Sequence, residues 1–289
     1  MRMGTPSKTQ TMSADAMPDK DEEAAARRPM RKPGAGAGAH GASRLETQRA
    51  GSARHEADTQ GQGQALYDPS LARLFTWLSP AFPVGGFSYS HGFEWVVEAG
   101  SIKTPADLKD WIEDVLEHGA GRSDLIFLAE AWRAVALADT ARLEEVAALA
   151  AAFAASAERR LETMAQGAAF LAAVGAVWPQ PALAGLVRSP EIAYPVAVGA
   201  SSAAHGLPLP ATAQAFLQAF AANLVSVGVR LVPLGQTDGL RVLAGLEPVL
   251  ARLLEVGLGA TLQDVGGAAI QIDIASMRHE TQYTRLFRS

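Results

Sequence analysis

The stretch Thr104-Pro105-Ala106-Asp107-Leu108-Lys109-Asp110-Trp111-Ile112-Glu113-Asp114-Val115-Leu116 decides the fold. A threonine, a proline directly after it and an aspartate three residues on form a helix start. The hydroxyl caps a free N–H, proline needs no partner in the first turn, and the acid faces the positive end of the helix dipole. Leu108, Trp111, Ile112, Val115 and Leu116 then recur at intervals of three and four, so one face is apolar while Lys109, Asp110, Glu113 and Asp114 occupy the other.

The same grammar extends outward. Upstream, Asp68-Pro69 opens a helix carrying Leu71, Leu74, Phe75 and Leu78. Ser79 to Gly86, with two prolines and two glycines, reads as a loop, and a second helix is expected from Tyr89 to Ala99, stopped by Gly100. Downstream, Gly119 and Gly121 end the central helix. Alanine-rich periodicity then gives helices over Ser123–Ala138, Thr140–Ala155 and Ser156–Val177. Pro179, Pro181, Pro190 and Pro195 punctuate the next stretch. Helices resume over Pro195–His205, Pro210–Leu231 and Asp238–Leu246, Pro248 kinks or restarts the chain through Val256, and a last helical piece lies between Thr261 and Met277. Few segments alternate with period two. The expectation is an all-α, single helical-bundle domain of about ten helices over residues 66–289, with small alanine faces allowing close helix–helix approach.

Residues 1–65 have another character. They include the run Gly34-Ala35-Gly36-Ala37-Gly38-Ala39, and Leu45 is their only Leu, Ile, Val, Phe, Trp or Tyr. Such a segment buries too little apolar surface to offset its ordering entropy, so it reads as a disordered low-complexity extension. The acidic run Asp19 to Glu23 argues against a transit peptide. Over the whole chain of 289 residues the net charge is −5, which disfavours a general nucleic-acid binder. Hydrophobic residues make up 48%, enough for a sizeable core. Cysteine is absent, which removes disulfides, thiolate metal sites and a cysteine nucleophile together. The longest apolar stretch, Ala165 to Val187, is interrupted by Gln166, Pro179, Gln180 and Pro181, so no membrane span is expected. The composition suits a cytoplasmic protein.

Several chemical engines are missing. There is no Gly-Lys-Ser/Thr phosphate loop and no His-Glu-x-x-His, and no two of the six histidines lie four apart. His91 and Glu94 stand three apart on the expected second helix. That pair could serve a small helical metal-dependent hydrolase, though an acidic residue in a helix's first turn explains Glu94 as well.

Three further segments exceed what helix packing requires. They are Leu78–Glu94 (LSPAFPVGGFSYSHGFE), Val229–Gly239 (VRLVPLGQTDG) and the tail Asp273–Ser289 (DIASMRHETQYTRLFRS). In order and spacing they resemble the UreF family of urease accessory proteins, with weaker matches at Gly167 and Tyr194–Gly199. The likeness covers about Leu66 to Ser289. Gly86, His91 and Gln271 stand where that family often has alanine, glutamine and proline.

The resemblance implies an all-α homodimer with no catalytic chemistry and no cofactor of its own. It implies a scaffold bridging a UreD/UreH-type accessory protein and a UreG-type GTPase, with nickel and GTP handled by the partner complex during nickel insertion into the urease apoprotein. Modulation of the GTPase's hydrolysis is the variant reading.

It also marks candidate partner-binding residues. In the tail, residues 273–289, these are His279, Tyr283, Arg285, Leu286 and Phe287, with Arg285 available to an acid on the GTPase; the plainer alternative is a final helix packed on its own bundle. Gln236 and Asp238 sit in a Gly-flanked loop that capping explains equally well, and Arg230 lies near enough in sequence to hold that loop. Tyr89 and Glu94 are interface candidates in the first motif, although a core tyrosine with a bonded hydroxyl would read the same way. The five tryptophans read as core.

Overall fold

The caps legible in the sequence are made by hydrogen bonds. Asp68 accepts from Ser70 N at 2.8 Å, and Thr104 and Asp107 form a reciprocal capping box; Ser156, not read as a cap in the sequence, also accepts from Arg159 N at 3.1 Å. The structure is a computed structural model and describes residues 67–187 and 191–289. The expected extension 1–65 and Pro190 lie outside the described residues.

Twelve α-helices follow one another in the described part: α1 (Pro69–Trp77), α2 (Phe93–Glu98), α3 (Pro105–Glu117), α4 (Ala120–Ala136), α5 (Thr140–Ala152), α6 (Ala157–Val177), α7 (Ala184–Val187), α8 (Tyr194–Ala204), α9 (Leu209–Leu231), α10 (Gln236–Gly245), α11 (Glu247–Gly259) and α12 (Ile270–His279). Short 3-10 turns occur at Gly86–Ser88, Pro181–Leu183 and Leu262–Asp264, and there is no strand among the described residues.

The bundle is organised around α4 and α8. α8 is apolar on every side and buries eight of its residues, as a helix enclosed by others must. It meets α4 at Gly199, where a Cβ would stand 2.2 Å from the Leu128 carbonyl oxygen, so glycine alone permits this approach. α6 packs along α8, and Gly167 meets the Ile192 carbonyl in the same way. α9 is the one helix among the described residues long and apolar enough to cross a membrane by length and composition. Here it packs against seven others, from α1 to α11. The interrupted stretch over 165–187 instead supplies the second half of α6, which buries Gln166 and Phe170, and then the 3-10 turn and α7.

Several boundaries differ from expectation for local reasons. α4 begins at Ala120, and Gly121 lies inside its first turn against the Leu116 backbone rather than ending α3. At Pro248, where a kink and a restart were both open, the restart is found: the proline lies in the first turn of α11. The helix expected from Tyr89 begins only at Phe93, because His91 (φ 56°) and Gly92 (φ 78°) both adopt the left-handed conformation. A Cβ on Gly92 would lie 2.7 Å from Ser276 N, so this bend is the seat on which α12 rests. Of the tryptophans Trp77 is fully buried, at the centre of an aromatic cluster with Phe170, Trp178 and His205.

Candidate functional site

The segment after α12 folds back over the bundle and is clamped there by carboxylates. His279 is fully buried, with Nδ1 2.6 Å from Glu158 Oε2 and Nε2 3.2 Å from Glu94 Oε2. Glu94 accepts the main-chain N–H groups of Leu286 (2.6 Å) and Phe287 (3.0 Å), and Arg285 donates to Glu158 at 2.7 Å. Arg288 N donates to Ser88 O at 2.8 Å, while the Ser289 main-chain oxygen accepts from Ser90 N at 2.5 Å and from the Ser90 hydroxyl. Phe287 is buried beneath Arg230, whose guanidinium carbon lies 4.6 Å from the ring centroid.

This geometry places each candidate residue. Glu94, His279, Arg285 and Phe287 come together in the clamp, on the chain's own helices. Tyr283 and Leu286 belong to the same segment but point outward, Tyr283 fully exposed and Leu286 79% exposed. Tyr89 is buried. Arg230 does not hold the Gly235–Gly239 loop. Its Nη1 donates to Phe87 O at 3.0 Å, so it ties the first motif to the tail. Gln236 is exposed at the start of α10, and Asp238, half-buried, pairs with Arg241 at 2.7 Å; neither reaches the clamp. His91 and Glu94 serve different partners and do not converge. Among the described residues no group of three or more His, Asp or Glu side chains is arranged to hold a metal ion.

A second polar cluster lies beneath the clamp. His91 Nε2 is 2.8 Å from Glu162 Oε1 and 2.8 Å from Arg159 Nη1. Arg159 also pairs directly with Glu162, Gln166 donates to Glu162 at 3.0 Å, and the Ser289 hydroxyl donates to it at 2.9 Å. Burial alone would raise the Glu162 carboxyl. Arg159, His91 and the hydrogen bonds from His91 and Ser289 outweigh it and bring the group to about 2. Burial, then Arg159, lowers His91 and favours the neutral ring, against the pull of Glu162. Asp124 faces this cluster without a hydrogen bond or ion pair among the described residues, and burial pushes its carboxyl up to about 7.

Two cavities, of about 380 Å³ and 420 Å³, open from this point, and both are lined by His91, Asp124, Arg159 and Thr163. The first runs towards His118, Phe153 and Asp273, the second towards Phe75, Phe87 and Asn223. Sequence reasoning missed Asp124, Glu158, Arg159, Glu162 and Ser289. The available signal was Glu158, Glu162 and Gln166 at four-residue spacing on one helix face, a pattern that ordinarily denotes a solvated stripe.

By its likeness to relatives of known name, this helical bundle is a protein of the urease accessory class. Urease accessory protein UreF of Rhodopseudomonas palustris (strain HaA2) is 56% identical over 233 residues, 80% of this chain and 98% of the relative. The UreF of Bradyrhizobium sp. (strain BTAi1) is 53% identical over 225 residues, covering 78% and 94%, and that of R. palustris (strain BisB5) 54% over 222, covering 76% and 91%. The UreF family model matches residues 102–247. The chain belongs to the UreF family.

Proposed function

We propose that this chain is a non-catalytic scaffold of urease maturation. It bridges a UreD/UreH-type accessory protein and a UreG-type GTPase, so that nickel reaches the active site of the urease apoprotein. The observation that carries this reading is the terminal segment itself. Its backbone is fixed by Glu94 and Ser90 and its His279 and Arg285 side chains by Glu158, yet Tyr283 and Leu286 project into solvent. An aromatic and an aliphatic anchor on a pre-ordered segment can be buried by a partner at little entropic cost. These two residues dock the UreD/UreH-type protein. Gln236 and Asp238 at the start of α10 and, apart from them, the half-exposed Arg285 meet the GTPase. Nickel is cargo and GTP stays with the partner. The two cavities that share the His91, Asp124, Arg159 and Thr163 wall lie along the metal's path through the helices, and the working unit is a cytoplasmic homodimer.

The test is co-expression with both partners. The double variant Tyr283→Ala/Leu286→Ala is expected to keep its helical circular dichroism while capture of the UreD/UreH-type protein falls by about tenfold or more, as loss of two interface anchors does. Undiminished capture removes the segment from the interface. GTP turnover by the UreG-type partner, measured with and without this chain, separates bridging from modulation of hydrolysis.

A further inference from the structure

The clamp and the cavity junction share atoms. Glu162 holds Arg159, which lines both cavities, and the same carboxylate receives the Ser289 hydroxyl. Glu158, one turn earlier on α6, receives His279 and Arg285 from the terminal segment. On the opposite side of the junction His91 is held at φ 56°, a left-handed conformation that strains a non-glycine residue. Its neighbours enforce it. Ser90 is pinned through two bonds to the Ser289 main-chain oxygen, and Gly92 lies under Ser276 of α12. Both groups that bracket Arg159, one carboxylate and one imidazole, are therefore kept in position by residues 276–289.

We infer that the carboxy-terminal segment is a strap that governs the passage between the two cavities, acting through Ser90–His91 and Glu162 on the Arg159 side chain at their junction. With the strap docked, Arg159 is fixed between Glu162 and His91 on the wall common to both cavities. When the strap lifts, Ser90 loses both bonds to Ser289 and His91 can leave its strained conformation. Glu162 loses a donor. Glu94 and Glu158 lose His279 and Arg285 and meet water instead. Arg159 then leaves the junction and the two cavities communicate freely. Arg159 and Glu162 are positioning residues for this passage, and the inference does not depend on the bridging role proposed above.

The absence of cysteine makes the test direct. A single thiol is introduced in the full chain by Thr163→Cys, on the wall common to both cavities, and its reaction rate with a small cationic methanethiosulfonate reagent is measured. The same is done with Ala134→Cys, a buried position that lines neither cavity. Adding His279→Ala is expected to speed labelling at position 163 by about tenfold, the consequence of losing a charge-assisted clamp, and to leave position 134 unchanged. Ser289→Ala, which removes one hydroxyl and leaves the helices untouched, is expected to give about threefold, and decides the matter alone if His279→Ala does not fold. Unchanged labelling at position 163 in the folded variants overturns the inference. So does equal acceleration at positions 163 and 134, which denotes general loosening.

Discussion

At the scale of single residues, this molecule keeps acids where their partners are already engaged. Glu94, Glu158 and Glu162 serve three, two and four donors respectively, so their burial is compensated. Asp124 is the exception. Its carboxyl prefers the proton up to about pH 7 in the folded chain, against 3.8 in the unfolded one. Between those values the folded state holds a proton that the unfolded state has lost, so this group lowers stability progressively as pH rises from about 4 to about 7. Asp124→Asn should therefore be nearly neutral for stability at pH 4 and stabilising at pH 8, by on the order of 2 kcal/mol. That figure is below the full shift because the carboxyl faces cavities rather than packed side chains. Urea unfolding at both pH values measures the difference. Little of this was legible beforehand. His91 and Glu94 looked like a pair on one helix face, and the left-handed turn at His91-Gly92 sends them to different partners.

At the scale of elements, the helices were legible wherever a cap and an apolar stripe coincided. α1 and α3 carry Asp68 and Thr104 as caps, and both begin where those residues require. The limit of that grammar shows in α4, whose first turn contains Gly121. A glycine near a helix boundary reads as a stop, but here the missing side chain makes room for the Leu116 backbone. The α4–α8 contact depends on the same economy of volume. Gly199→Ala puts a methyl 2.2 Å from the Leu128 carbonyl oxygen, a backbone atom that can move only with its helix. The variant should lose about 3 kcal/mol, and thermal unfolding should show it as a lowered midpoint with helix content otherwise retained.

At the scale of the whole molecule, the described helices supply surfaces and a shielded polar junction, and no set of three or more metal-ligating His, Asp or Glu side chains occurs among the described residues. Dialysis against a chelator should accordingly leave the thermal midpoint within about 1 °C, since a resident structural ion would stabilise the folded state by mass action. A drop of several degrees, together with stoichiometric metal by elemental analysis, would revive a metal-dependent enzyme.

The sequence by itself determined the class of fold, the caps of the main helices and the family, because capping, periodicity and ordered motifs are local properties of the chain. It also marked the terminal segment, Arg230 and Glu94 as unusual. Only the tertiary structure decided that these residues meet. It took the left-handed bend at His91-Gly92, the seat that bend makes for α12 and the return of residues 280–289 over α6 to turn a stripe of glutamates into a buried clamp. Charge burial depends on what arrives from elsewhere in the chain, and a helix face lined with Glu158 and Glu162 looks solvated until Arg285, His279 and Ser289 cover it.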